Sequence, residues 1–142
     1  MPPSAITVSP AQQRELLSAA SDAALHAYAP YSGFRVGAAL LLEGGAVVTA
    51  ANVENASYGL SICAERSAVA RAIAQHGPKL CIHAVAVTNL NHASSSPCGA
   101  CRQVLAEFMP SHGLVLFHFD GTLQTHTLAE LFPLAFDLTH AE

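Results

Sequence analysis

The chain has 142 residues, the ordinary size of one domain, of which 51% are apolar and only 11% charged. Six basic against ten acidic residues give a net charge of −4, and the basic ones (Arg14, Arg35, Arg66, Arg71, Lys79, Arg102) are scattered, which argues against a nucleic-acid partner. No stretch reaches the roughly 20 apolar residues that cross a bilayer, and the first ten residues lack the basic-then-apolar pattern of an export signal, so a cytoplasmic location is expected.

Ordinary soluble domains carry about a quarter charged residues, so this surface is short of charge for a monomer. Uncovered apolar surface usually meets another subunit, and a homo-oligomer is expected. Four cysteines in a chain with no export signal do not read as a disulfide framework. No repeat, low-complexity tract or linker interrupts the chain. One domain over residues 1–142 is expected, with 1–9 loosely ordered.

In chain order, Pro10 opens a helix that the stripe Leu16, Leu17, Ala20, Ala24 and Ala27 carries to about residue 27. Pro30 ends it, and 31–34 reads as a loop. Strands are expected over 36–42 and 47–53, joined across Gly44-Gly45, a strong hairpin signal. Residues 63–75 show helical periodicity and are stopped by Gly77-Pro78. A buried-type strand covers 82–88. Ser96-Pro97 resembles an N-cap followed by the proline favoured at the first helical position, starting a helix that runs to about Phe108. A strand over 114–119 turns at Asp120-Gly121 into another over 123–127, and 127–131 makes a short helix. Tight turns join antiparallel strands, whereas crossover helices join parallel ones. The fold class expected is α/β, a three-layer α/β/α domain with a five-stranded mixed sheet.

The sharpest feature is Cys63-Ala64-Glu65 followed, 35 positions on, by Pro97-Cys98-Gly99-Ala100-Cys101. Each cluster opens an expected helix. Cys98 and Cys101, one helical turn apart, project from the same face and can share a metal. Helix N-termini favour thiolates, the form in which cysteine binds metal. Three thiolates could thus hold one Zn²⁺ and leave a fourth position for water, whose pKa such a site lowers to about 7 in the best cases. Three thiolates leave the zinc site at net −1, and Arg66 in the same first turn can offset this by hydrogen bonding to sulfur. Solvation on a helix surface is the plain alternative for Arg66. Glu65 is not needed as a ligand and can move the water's proton as a general acid/base; the plain alternative is compensation of the helix dipole. A lone C-x-x-C also fits a redox pair or half of a structural zinc site, but a structural site would most simply offer that motif twice.

The pattern is similar to that of the zinc deaminases, with Cys in place of the His of H-x-E…P-C-x-x-C. Tyr31-Ser32-Gly33-Phe34, Val36-Gly37-Ala38-Ala39-Leu40, Asn52-Val53-Glu54-Asn55-Ala56-Ser57-Tyr58, Cys63-Ala64-Glu65-Arg66 and Ser96-Pro97-Cys98-Gly99-Ala100-Cys101-Arg102-Gln103-Val104 resemble, in order, the small homotetrameric cytidine deaminases. The resemblance runs from about Tyr28 to Phe136. It implies a cytidine deaminase-like fold, one Zn²⁺ per chain, a homotetramer and a free nucleoside substrate. It also implies that Asn52 and Glu54 bind a ribose hydroxyl, and one amide and one carboxylate at alternate strand positions suit that task. By the same resemblance Phe34 packs on the nucleoside, the Ala64 N–H meets the base oxygen, and Tyr58 lies among the site loops. Phe136 matches an aromatic that enters a neighbouring subunit's site, although the tail departs from a fixed pattern after Phe132-Pro133. Core packing for Phe34 and Phe136, turn formation for Asn52 and loop packing for Tyr58 are the plain alternatives. Cys81 sits in an apolar run and reads as a buried thiol. No histidine stands at ligand spacing near the cysteines, and none is assigned a catalytic role.

The activity implied is hydrolysis of cytidine, and of 2′-deoxycytidine, to the uridine nucleoside and ammonia, in pyrimidine salvage. Three rivals stay open: a related deaminase acting on blasticidin S or on a nucleic-acid base, a non-catalytic zinc-stabilised binding module, and a C-x-x-C redox protein. The first would keep the zinc site and change the substrate. The second needs a fourth protein ligand, and the third needs no metal.

Overall fold

A computed structural model describes residues 6–138. Its elements are α1 (Pro10–Ala24), β1 (Val36–Leu42), β2 (Val47–Ala51), a single 3₁₀ turn (Tyr58–Leu60), α2 (Ala64–His76), β3 (Ile82–Asn89), α3 (Gly99–Phe108), β4 (Leu114–Phe119), β5 (Thr122–Thr127) and α4 (Leu128–Leu131). The strands form one sheet in the order β2-β1-β3-β4-β5. β3 and β4 pair parallel, and every other neighbouring pair is antiparallel. The crossover through α3 gives that parallel pair. β2 and β3 also run the same way, but β1 is inserted between them.

Strand alternation divides the core in two. On one face Ala38, Leu40, Val85, Val87 and Val115 pack with Ala68 and Val69 of α2 and Leu105 of α3. On the other, Ala39, Leu41, Ala84, Ala86 and Leu116 meet Leu16 and Ala20 of α1. The sheet is thus covered on both faces, which is the α/β layering expected. Helix α1 lies unusually close to β1. A Cβ added at Gly37 would stand 1.8 Å from the Ala20 carbonyl oxygen, so only glycine lets the helix backbone approach the strand.

Three boundaries differ from those expected, each for a local reason. Helix α1 stops at Ala24 rather than near residue 27, because Tyr28 is drawn into backbone pairing: its N–H donates to Asn52 O at 3.0 Å and its carbonyl accepts from Glu54 N–H at 2.8 Å. β2 stops at Ala51, since Asn52 turns its side chain back to β1. Helix α3 starts at Gly99 with Cys98 as N-cap, so Ser96 and Pro97 belong to the preceding extended segment. The loose order expected for 1–9 does not hold for its last residues. Val8 is buried, and Ser9 caps α1 in a reciprocal capping box with Gln12; residues 1–5 lie outside the described ones.

Candidate active site

Cys63 and Cys98 occupy equivalent places: each is the N-cap of its helix, with extended backbone (φ −68°, ψ 154° and φ −68°, ψ 168°). An N-cap side chain ordinarily accepts a hydrogen bond from the helix's first turn. Neither cysteine does so, which leaves both sulfurs free for another partner. Cys101 is three residues into α3 and fully buried. The three Sγ atoms all lie within 4.8 Å of one another. Thiolates about 2.3 Å from a tetrahedral zinc stand roughly 3.8 Å apart, so a small inward rotation closes the set on one ion.

Electrostatics agree with that use. The Cys63 thiol is lowered to about 5, first by the hydrogen bond from Cys101 and then by Arg66, whose Nη2 donates to Cys63 Sγ at 3.6 Å. Cys101 is pushed up, chiefly because its proton is what Cys63 accepts. A metal ion displacing the thiol protons would meet three sulfur donors already gathered together. The Arg66 guanidinium is held in its charged form by Cys63, and its buried Nε has no acceptor among the described residues. Three soft donors and a lone cation beside them fit zinc.

Glu65, at the second position of α2, is only 5% exposed. Its carboxyl is raised above the usual range, mainly by burial and further by the Cys63 charge. A cavity of about 280 Å³ opens over these groups, and Phe34, Asn52, Glu54, Ala64, Glu65 and Cys98 are among its walls. Ala64 opens α2, where first-turn N–H groups have no intrahelical acceptor.

Asn52 and Glu54 both face the cavity, as alternate positions should, but each already holds protein. Asn52 Nδ2 donates to Phe34 O and its Oδ1 accepts from Val36 N–H, both at 2.8 Å, so the side chain imitates one more rung of the sheet. Glu54 accepts from Tyr31 N–H at 3.0 Å, from Ser32 N–H at 3.2 Å and from the Ser32 hydroxyl. That latch fixes the loop carrying Phe34, and the Ser32 hydroxyl is the largest cause holding the Glu54 carboxyl below its usual range. Tyr58 and Phe136 do not line the cavity. Tyr58 is 73% exposed, edge-on to Tyr31 with ring centroids 6.3 Å apart, and Phe136 is 68% exposed beside α3, its carbonyl accepting from Gln103.

One positioning residue escaped the sequence reading. Arg102 donates to Pro97 O (2.8 Å), Ser96 Oγ (2.8 Å) and Leu131 O (2.6 Å), clamping the segment that delivers Cys98 onto the end of α4. Its signal was faint: one of few basic residues, directly after a cysteine, on a chain otherwise poor in charge.

Residues 10–116 match the family model for the cytidine and deoxycytidylate deaminase zinc-binding region. A cytidine deaminase of Halalkalibacterium halodurans is 46% identical over 122 residues, covering 85% of this chain and 91% of that protein. The crystal structure of a cytidine deaminase from Burkholderia pseudomallei superposes with a TM-score of 0.79 at 43% identity, over 87% of this chain and 98% of that one. A blasticidin-S deaminase of Bacillus cereus is more distant, 32% identical over 111 residues, or 71% of this chain and 76% of that protein.

Proposed function

The chain belongs to the cytidine and deoxycytidylate deaminase family and is a zinc-dependent hydrolase that deaminates cytidine; we propose that Glu65 carries the protons of this reaction and that 2′-deoxycytidine is turned over as well, in pyrimidine salvage. The observation that carries the assignment is a cluster of three sulfurs, two of which line a nucleoside-sized cavity together with the buried Glu65 carboxylate. In this proposal Cys63, Cys98 and Cys101 hold the ion. Zinc with an open position supplies Lewis acidity and makes water a usable nucleophile near neutral pH.

Glu65 does the proton work. It takes the proton of the attacking water and passes it to the pyrimidine ring nitrogen; it then takes the proton of the new C4 hydroxyl and delivers it to the amine, which leaves as ammonia while C4 becomes a carbonyl. Water and cytidine thus become uridine and ammonia. A carboxyl shielded from solvent loses few protons to bulk water between these transfers. Arg66 reduces the excess negative charge of three thiolates by donating to Cys63. The Ala64 N–H donates to the base oxygen, and Phe34 packs against the base. Asn52 and Glu54 bind ribose with the hydrogen-bonding capacity their backbone ties leave over: an acceptor lone pair on each and one amide hydrogen.

Tyr58 and Phe136, which do not line their own cavity, complete a neighbouring one in a homotetramer. Supporting this, Leu60, Leu134 and Leu138 are also exposed, and uncovered apolar surface of this kind commonly meets another subunit. The enzyme is assigned to the cytoplasm; among the described residues no helix is long and apolar enough to cross a membrane.

The test is a substrate panel. Loss of ultraviolet absorbance is expected with cytidine and 2′-deoxycytidine, and none with single-stranded DNA. The similarity to a blasticidin-S deaminase makes blasticidin S the informative competitor. Turnover of blasticidin S in preference to cytidine would overturn the nucleoside assignment.

A further inference from the structure

The opposite end of the sheet holds a second group of metal-type donors. Glu43 follows β1, Cys81 precedes β3, and His83 lies within β3. One ligand atom of each (a carboxylate oxygen, Sγ, a ring nitrogen) lies within 4.8 Å of the other two. Cys81, expected from its apolar run to be a buried thiol, is half-buried, and His83 stands beside it.

An irregularity in the β1–β3 pairing brings them together. Leu41 pairs with Ala84 but Leu42 with Ile82, which leaves His83 as an extra residue, a β-bulge. Alternation is broken there: Ile82 packs in the α2–α3 core and Ala84 in the α1 core. Cys81 therefore falls on the α1 side, as does Glu43, which follows the inward-facing Leu42. With regular pairing Cys81 would face the opposite core from Glu43. The Glu43 N–H donates to Cys81 O at 2.9 Å and holds the two stretches together. A cavity of about 490 Å³ is lined by the three donors, by Ile6 of the α1-side core, and by His112.

We propose that Glu43, Cys81 and His83 form a second metal site, distinct from the three-cysteine one, that takes a single borderline divalent ion of the zinc class, with His112 in the same cavity as a further donor. Magnesium and calcium prefer shells of six or more oxygens, whereas this site offers one carboxylate, one sulfur and imidazole, the donor mixture of zinc and its neighbours. Thiolate and carboxylate together match the ion's charge of two. Without an ion the Cys81 thiol is pushed up by burial and by the Glu43 charge, so loading the site releases a proton. The ion would tie the end of β1 to the start of β3, at the end of the sheet opposite the deaminase cavity.

The test uses holoenzyme whose three-cysteine site is already filled with zinc, titrated with cobalt(II) chloride. One further equivalent per chain should bind and give a thiolate-to-cobalt charge-transfer band, with protons released on loading. Cys81→Ala should abolish the band. Loss of an outer partner alone weakens metal sites by about 10–100-fold, so Glu43→Gln, a change at an exposed position, should weaken binding at least that much. Both variants should keep wild-type cytidine turnover and their first zinc. No saturable second equivalent would overturn the proposal. So would a band that survives in Cys81→Ala, because the cobalt would then lie on the other sulfurs.

Discussion

Glu54 holds a loop of the fold and, in the proposed function, the substrate's ribose as well. Its carboxylate is tied to the Tyr31–Ser32 backbone and to the Ser32 hydroxyl while still facing the cavity. Its folded-state pKa is lowered from 4.5, with Ser32 as the largest cause. A lowered carboxyl contributes stability that is present above the unfolded value and lost as pH falls through the folded one. The Phe34 loop should therefore loosen only at acid pH, below the ordinary carboxylate range. In Ser32→Ala, carboxyl NMR should show Glu54 titrating closer to 4.5, and an unshifted curve would contradict the latch. The residue types and spacing around Cys63, Cys98, Cys101, Glu65 and Arg66 were legible in the sequence because metal chemistry restricts them so tightly. The ties of Asn52, Glu54 and Arg102 were not. Each reaches backbone groups far along the chain, and no local pattern records such a partner.

At the level of elements, hairpin glycines, alternation and capping signals were enough to find the five strands and four helices to within a few residues. The informative miss is at α3. Ser96-Pro97 has the chemistry of a helix start, but the helix begins after Cys98. The outcome makes Cys63 and Cys98 alike, each the last extended residue before its helix, with its sulfur beside the free N–H groups. The β3 bulge is equally silent in sequence, because a change of pairing register leaves no mark on an apolar run. Close packing at Gly37 is a testable consequence of the α1–β1 contact. Gly37→Ala puts a methyl within 1.8 Å of the Ala20 carbonyl oxygen, and the helix backbone must move. Overpacking of this kind costs about 1–3 kcal/mol or more. Urea denaturation should show the midpoint falling; an unchanged midpoint would mean that α1 is not seated as described.

For the molecule as a whole, the sheet carries chemistry at one end and a bulged donor cluster at the other, with two separate cores between them. Its low charge and its exposed aromatic and aliphatic side chains are balanced by neither a membrane-length helix among the described residues nor a basic surface. The proposed homotetramer would cover them by contact with copies of the same chain. Light scattering should give four times the 14.7 kDa chain mass, and a monomeric mass would contradict the tetramer. Phe136→Ala should raise KM for cytidine more than it disturbs folding, since the ring is exposed in its own subunit.

The claim on which the rest depends is that a buried carboxylate beside three metal-binding sulfurs moves the protons of the reaction. It is tested most directly by the initial rate of cytidine loss for Glu65→Gln, measured on protein whose zinc content is determined in the same preparation. The account predicts wild-type zinc at the three cysteines and a rate lower by about 10²–10⁴. A zinc-loaded variant that deaminates cytidine within a few-fold of the unaltered enzyme would contradict it.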